Sequence, residues 1–298
     1  MIKGENTGAG ANPGAFGRFR ERLARCLFCV AACVSILAVA LICIFLFANG
    51  VPGMAKIGVW KFLSGTRWKP GSNIYGILPM ILGSVYVTAG ALIVGVPAGL
   101  LAALFMARFA SKKLLRLMRP AISLLAGIPS VVYGFFGMVV IVPLVRALFG
   151  GSGSSLLAAS LLLGMMILPT IITVAESALR AVPDAYYVGA LALGAAPDRA
   201  VFRVVLPAAK SGVTAGVILG VGRAIGEAMA VMMVAGNRAV IPRSLISGVR
   251  TLTTNIVMEM GYAADLHREA LIATAVVLFV FILIINVLFS LLKRRGEG

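Results

Sequence analysis

The chain has 298 residues, of which 60% are hydrophobic and 12% charged, and its formal net charge is +17. Soluble domains carry about 25% charged residues, and about half of this chain lies in six long apolar stretches. A soluble enzyme, a secreted disulfide scaffold and a disordered polymer are thereby excluded, and an all-α membrane protein with six transmembrane helices remains. Residues 26–49, 77–105, 121–145, 155–175, 211–235 and 270–292 are each long enough to span the bilayer. Crossing a hydrocarbon core about 30 Å thick takes about 20 helical residues.

The positive charge follows the expected topology. Seventeen of the 27 Lys and Arg residues lie in the N-terminal tail, the loops after spans two and four, and the C-terminal tail. Nine lie in the opposite loops, and one, Arg223, lies inside a span. Basic residues accumulate in cytoplasmic loops, so both termini are expected in the cytoplasm. No basic face is interleaved with stacking aromatics, so no nucleic-acid partner is expected.

In chain order, residues 1–25 read as a flexible cytoplasmic tail, with Gly8, Gly10, Pro13, Gly14 and Gly17. Residues 26–49 exceed the roughly 7–15 apolar residues of a signal peptide and read as an uncleaved transmembrane anchor. All four cysteines, Cys26, Cys29, Cys33 and Cys43, fall in it. No second pair and no nearby histidine completes a tetrahedral metal set, so they read as small apolar residues. Residues 50–76 form an outer loop holding both tryptophans, Trp60 and Trp68, and Trp favours the membrane–water interface.

The remaining five spans make up a membrane core over residues 77–292. Span two contains Pro79, Gly95 and Pro97, and span three contains Gly127, Pro129, Gly134 and Gly137. Irregular backbone at membrane depth is tolerated where it is buried in protein or lines a cavity. Both helices are therefore candidates for a pathway or a subunit interface, with ordinary packing as the competing use of the glycines. Residues 150–154 read as a tight turn. In residues 176–210, Pro183, Gly189, Gly194, Pro197 and Pro207 predict two short helices broken near Gly194. A connection of this length is uncommon unless it works, and docking a cytosolic partner is a candidate task.

Span five carries Arg223 and Glu227 near its middle. A charge at that depth costs roughly 2.5–3.5 kcal/mol on insertion scales. At i and i+4 the two share a helix face. One reading is an ion pair, within the helix or with a second subunit. The other is an anion pathway in which Arg223 supplies positive charge and Glu227 positions it, and the two are compatible. Gly216, Gly220, Gly222 and Gly226 run at small-xxx-small spacing, which suits close packing against a copy of this helix or a related chain. Residues 244–250 read as a short amphipathic helix in the outer connection 236–269. The single histidine, His267, reads as incidental. Residues 293–298 form a second cytoplasmic tail.

The sequence contains no G-x-x-x-x-G-K-[ST] loop, no His-Glu-x-x-His, no Ser–His pair and no carboxylate pair within one span. No catalytic residue, metal ligand or cofactor of its own is expected, and any ATP would be bound and hydrolysed by a partner.

Val188-Gly189-Ala190-Leu191-Ala192-Leu193-Gly194-Ala195, followed by Val205-Leu206-Pro207, resembles the permease signature of ABC importers. In that family the loop forms coupling helices that sit in a groove of the ATP-hydrolysing subunit. Gly194, Leu206 and Pro207 match, and Val188 stands where the signature has glutamate. Finer matches are Phe62-Leu63-x-Gly65-x-x-Trp68-x-Pro70, Tyr75-Gly76-x-Leu78-Pro79, the run from Ala126 to Gly137, the run from Gly222 to Val231, and Arg250-Thr251-Leu252-Thr253. Together they resemble the PstC-type permease subunits of bacterial high-affinity phosphate importers, over about residues 58–292.

The resemblance implies a type I ABC importer (MetI-like) permease fold in the bacterial cytoplasmic (inner) membrane. It implies a PstA-like second permease, two PstB-like ATPases on the coupling loop and a phosphate-binding protein on the outer face. It also implies alternating access. By their own chemistry Arg223 and Glu227 are expected on the anion path, with Ser130, Tyr133 and Thr88 as further hydroxyl donors. A permease for another oxyanion, such as sulfate or molybdate, would use the same charge logic. A channel or secondary transporter working without ATP leaves the long cytoplasmic loop unexplained.

Overall fold

With no water in the hydrocarbon core, each backbone N–H and C=O must find its partner within the protein, and the apolar runs answer this as helices. The computed structural model describes residues 15–295. The chain falls into two units, Met1–Ala48 and Asn49–Gly298.

α1 (Ala15–Ile57) is apolar all round over its membrane-length stretch, as a lipid-facing span is. It begins earlier than expected, since residues 15–25, read as flexible tail, are already helical. Residues 1–14 and 296–298 of the two tails lie outside the described residues.

In the second unit, α2 (Val59–Ser64) leads into an antiparallel hairpin, β1 (Trp68–Lys69) and β2 (Ile74–Tyr75), with Trp68 opposite Tyr75. α3 (Leu78–Leu104) ends in a π turn, Phe105–Phe109, and α4 (Lys112–Gly127) follows. α5 (Ser130–Phe136), a π turn (Gly137–Ile141) and α6 (Val142–Phe149) make one span. α7 (Leu156–Ala181) is the most buried of the long helices. The long connection after α7 folds as α8 (Asp184–Ala192), α9 (Pro197–Ala200), a π turn (Val201–Val205) and α10 (Leu206–Ala208). α11 (Lys210–Gly226), α12 (Met229–Val234), α13 (Leu252–Glu259) and α14 (Asp265–Arg295) complete the chain.

Five described helices are long and apolar enough to cross a membrane. The pair Pro197–Ala208 and Lys210–Gly226, bent by 75°, passes the same test as a pair and brings the number to six.

Small residues decide the packing around α7. A Cβ on Gly95 of α3 would lie 2.7 Å from Ile167 Cδ1, and one on Gly220 of α11 would lie 3.0 Å from Ile171 Cγ1. Gly216 faces Val174 in the same way. The inner part of the glycine stripe is therefore used against the chain's own α7, not against a copy of α11. Gly222 and Gly226 have nothing within 4 Å and leave a second, open face.

Two connections differ from expectation. Residues 244–250 form no helix. They are spent on α7, whose first N–H groups lack helical partners: Leu156 N–H donates to Ser247 C=O and Leu157 N–H to Leu245 C=O, at 2.9 and 2.8 Å. The aromatic loop is split, since Trp60 is 80% exposed whereas Trp68 is buried.

Candidate functional site

Two helix breaks lie side by side. The first follows from Pro129, which lacks an N–H and drives the preceding residue away from helical geometry. Ile128 is extended, at φ −67° and ψ 126°, and separates α4 from α5. The expected single helix over 121–145 is thus two, meeting at this point. Tyr133 Oη donates to Leu125 C=O at 2.9 Å and braces the break.

The second break has no proline. α11 stops at Gly226, and Glu227 is extended, at φ −72° and ψ 125°. Arg223 and Glu227 are therefore not stacked on one continuous helix, and among the described residues no ion pair joins them. Glu227 instead secures the break. Its Oε1 accepts the Ala230 N–H at 3.0 Å, satisfying a donor at the start of α12. Its C=O accepts Thr253 Oγ1–H at 3.0 Å.

Glycine brings the breaks together. A Cβ on Gly134 of α5 would meet Met233 Sδ at 2.6 Å and Ala230 Cα at 3.0 Å, both in α12. Arg223 and Tyr133 lie within electrostatic reach of each other. The half-buried Arg223 guanidinium has no ion-pair partner among the described residues. A charge at such depth faces a cavity or a partner.

The other expected donors are placed differently. The single proton of Tyr133 is committed to Leu125, so it is not a free donor in this conformation. Ser130 is half-buried at the first turn of α5. Thr88 is buried in α3, but the α3 hydroxyl that reaches α13 is Ser84, whose Oγ accepts Leu252 N–H at 3.0 Å. Sequence reasoning missed Ser84 and Thr253. The quoted Arg250–Thr253 motif was the only signal that could have pointed to Thr253.

Outside the breaks, Glu259 forms a hub. Trp68 Nε1 donates to Oε2 at 2.8 Å, Arg250 Nη1 to Oε1 at 2.6 Å, and His267 Nε2 lies 2.9 Å from Oε2. Arg250 also donates to Asn255 Oδ1 and to Asn237 C=O. A buried carboxylate needs such partners, which draws Trp68 inward and gives His267 a task. Burial pushes the Tyr75 and Tyr262 hydroxyl pKa values up, and at Tyr262 the Glu259 charge adds to the effect.

In the 182–209 connection, α8 and the Leu193 that follows it present an apolar, exposed surface of Tyr186, Val188 and Leu193, the last 91% exposed. Gly189 and Gly194 have nothing within 4 Å. Gly194 takes φ +86°, a conformation that favours glycine, and separates α8 from α9 as expected. Ala190 and Leu206 are half-buried and Pro207 is exposed. Arg108, at the end of α3, ties this region down through Asp184 at 2.7 Å and the carbonyls of Leu179 and Val182. Its guanidinium sits over the Tyr187 ring, 5.7 Å from the centroid.

Residues 95–297 match the family model of the binding-protein-dependent transport system inner membrane component. A probable ABC transporter permease protein, YqgH of Bacillus subtilis, is 38% identical over 277 residues, covering 89% of this chain and 90% of the relative. The phosphate transport system permease protein PstC of Mesorhizobium japonicum is 32% identical over 278 residues, 86% of this chain and 85% of its own.

Two solved structures share the fold. A chain of the inward-facing MetNI methionine ABC transporter superposes with a TM-score of 0.55 at 22% identity, covering 74% of this chain and 94% of that one. A chain of a bacterial alginate ABC transporter gives 0.64 at 15% identity, over 93% and 98%.

Proposed function

Because the chain belongs to the family of binding-protein-dependent transport system inner membrane components, and is thus an ABC importer permease subunit of the cytoplasmic membrane, we propose that its cargo is inorganic phosphate. The observation that carries this reading is Arg223, a half-buried guanidinium without a carboxylate partner where two broken spans touch. A guanidinium presents its donors in a rigid fork suited to phosphate oxygens. The similarity to permeases named for phosphate transport supports the same cargo.

In this reading the breaks are the hinge of alternating access. A helix end held by single side-chain bonds, Tyr133 to Leu125 and Thr253 to Glu227, can re-form on the other side at low cost. The open Gly222–Gly226 face receives a PstA-like second permease. Two PstB-like ATPases bind ATP and seat the α8–α10 surface, one on this chain and one on its partner. A phosphate-binding protein delivers cargo at the outer face. The chain itself needs no cofactor.

The test is uptake of labelled phosphate at micromolar concentration in cells with and without this chain, with sulfate and molybdate as competitors. Uptake is expected to fall on deletion and to resist both competitors. Unchanged uptake, or equal competition by sulfate or molybdate, overturns phosphate as the cargo.

A further inference from the structure

α4 carries a polar stripe below the breaks. Lys112, Arg116, Arg119 and Ser123 recur at spacings of four, three and four residues, which places them on one helix face. The other side of α4 exposes Leu114, Leu117 and Leu124. On an amphipathic helix the charged face turns to water or a polar cavity and the apolar face elsewhere. Two adjoining cavities follow this stripe and share Arg119. One, of about 350 Å³, is lined by Arg119 and Ser123 of α4 and by Thr173, Glu176, Ser177 and Arg180 of α7. The other, of about 460 Å³, continues past Arg116 to Lys112.

In the first cavity two guanidiniums converge on one oxygen. Arg119 Nη2 and Arg180 Nε each lie 2.8 Å from Glu176 Oε1. Two positive charges share one negative charge, so the cluster is net positive. Its members are not equally held. Arg180 is also anchored by its donation to Met106 C=O at 2.7 Å, and the Glu176 side chain is only 10% exposed. The Arg119 side chain is 54% exposed and has no bond other than those to Glu176 among the described residues. The hydroxyls of Ser123 and Thr173 line the same cavity and donate to nothing among the described residues.

The position along the membrane follows from helix contacts. Gly220 touches Ile171 across the antiparallel α11–α7 contact. Arg223 lies three residues outward of that point and Glu176 five residues inward, an axial separation of about 12 Å at 1.5 Å per residue.

We propose that this cluster is a second anion station, which takes inorganic phosphate leaving Arg223 and passes it down the α4 stripe to the cytoplasm. The proposal rests on the reading of the chain as a phosphate importer. Arg119 is the arm that changes partner: it leaves Glu176 for the arriving anion, while Arg180 stays to compensate the buried Glu176 charge. A consequence is product inhibition, since phosphate on the cytoplasmic side occupies the same station.

The experiment uses the complete importer, with its ATPases and binding protein, reconstituted in vesicles with a controlled cytoplasmic-side solution. Uptake of labelled phosphate is measured with and without millimolar unlabelled inorganic phosphate on that side. Wild-type uptake is expected to slow severalfold. Arg119→Gln is expected to lose this inhibition and to lower maximal uptake severalfold, with the half-saturating outer phosphate unchanged. Arg119→Lys keeps the charge and retains the inhibition.

Equal inhibition in wild type and Arg119→Gln, or no inhibition in an active wild type, overturns the station alone. A wild-type importer that moves no phosphate overturns the substrate reading and the station with it. A lipid headgroup offers the same chemistry, so the assay is repeated with and without phosphatidylglycerol. An Arg119→Gln defect that follows lipid composition and ignores inorganic phosphate assigns the cluster to lipid and overturns the station.

Discussion

The acid–base clusters around Glu259 and at the breaks use the same residue types in opposite ways. At its hub Glu259 receives three donors, from Trp68, Arg250 and His267, and little of it is left for a ligand. At the breaks Glu227 is occupied with backbone and Arg223 has no carboxylate. A saturated cluster fixes geometry, because removing Glu259 or Arg250 leaves the other charge without its counter-ion. An unsaturated guanidinium at membrane depth is costly unless it has a visitor. The difference predicts that damage at the breaks appears in transport, whereas damage at the hub appears in stability.

The sharpest break of that contrast is Arg223→Gln. Uptake is expected to fall at least a hundredfold, with assembly of the importer and thermal stability unchanged. Near-normal uptake by an assembled variant would remove Arg223 from the phosphate path. The opposite signature is expected of Glu259→Ala. It leaves the largely buried Arg250 without its carboxylate, which costs about 3–5 kcal/mol, and its midpoint of thermal unfolding in detergent should drop by several degrees. A Glu259→Ala protein as stable as wild type would show that the hub does not hold the hairpin to α13 and α14.

A third variant separates the breaks from the α8 surface proposed to seat the ATPase. Arg108→Gln releases α8 from the end of α3 without touching either cluster. The Asp184 side chain is 84% exposed, so that pair contributes little, and most of the effect comes from the Leu179 and Val182 carbonyls. Uptake is expected to fall a few-fold while ATP hydrolysis by the assembled complex continues. Parallel loss of both activities would assign Arg108 to folding rather than to transmission.

The contrast also separates what was legible in the sequence from what was not. Arg223 stood out because a charge within an apolar run has few innocent explanations. The α8–α9 break was legible because Gly194 and Pro197 act locally. Glu259 was not, because its partners Trp68 and His267 come from other parts of the chain and a carboxylate in a polar outer connection is unremarkable. The break at Glu227 was hidden for another reason. The run Gly226-Glu227-Ala228-Met229 has no proline and satisfies helical spacing, and only the arrival of Thr253 and the turn of Glu227 onto Ala230 stabilise the extended residue. Pro129 was visible as a breaker inside the third apolar stretch, but not as the end of α4. The amphipathic pattern at 244–250 was real but belonged to a loop needed to cap α7.

The smallest expected effect tests whether Tyr133 belongs to the break or to the cargo. Its hydroxyl was read as a donor to the anion, and the structure gives its proton to Leu125 C=O. If the bond only braces the break, Tyr133→Phe removes one neutral hydrogen bond, worth about 1 kcal/mol. The ring still fills its place beside α12. The half-saturating phosphate concentration should then stay constant while the uptake rate changes by less than tenfold, because the break is loosened equally for every cargo. If the hydroxyl instead turns to the anion during transport, the loss falls on phosphate binding within the membrane. The deficit would then differ between phosphate and arsenate, whose oxygens lie further from the central atom. A cargo-dependent defect in Tyr133→Phe would move this residue from the frame of the site into its lining, and would mean that the brace to Leu125 is released in each cycle.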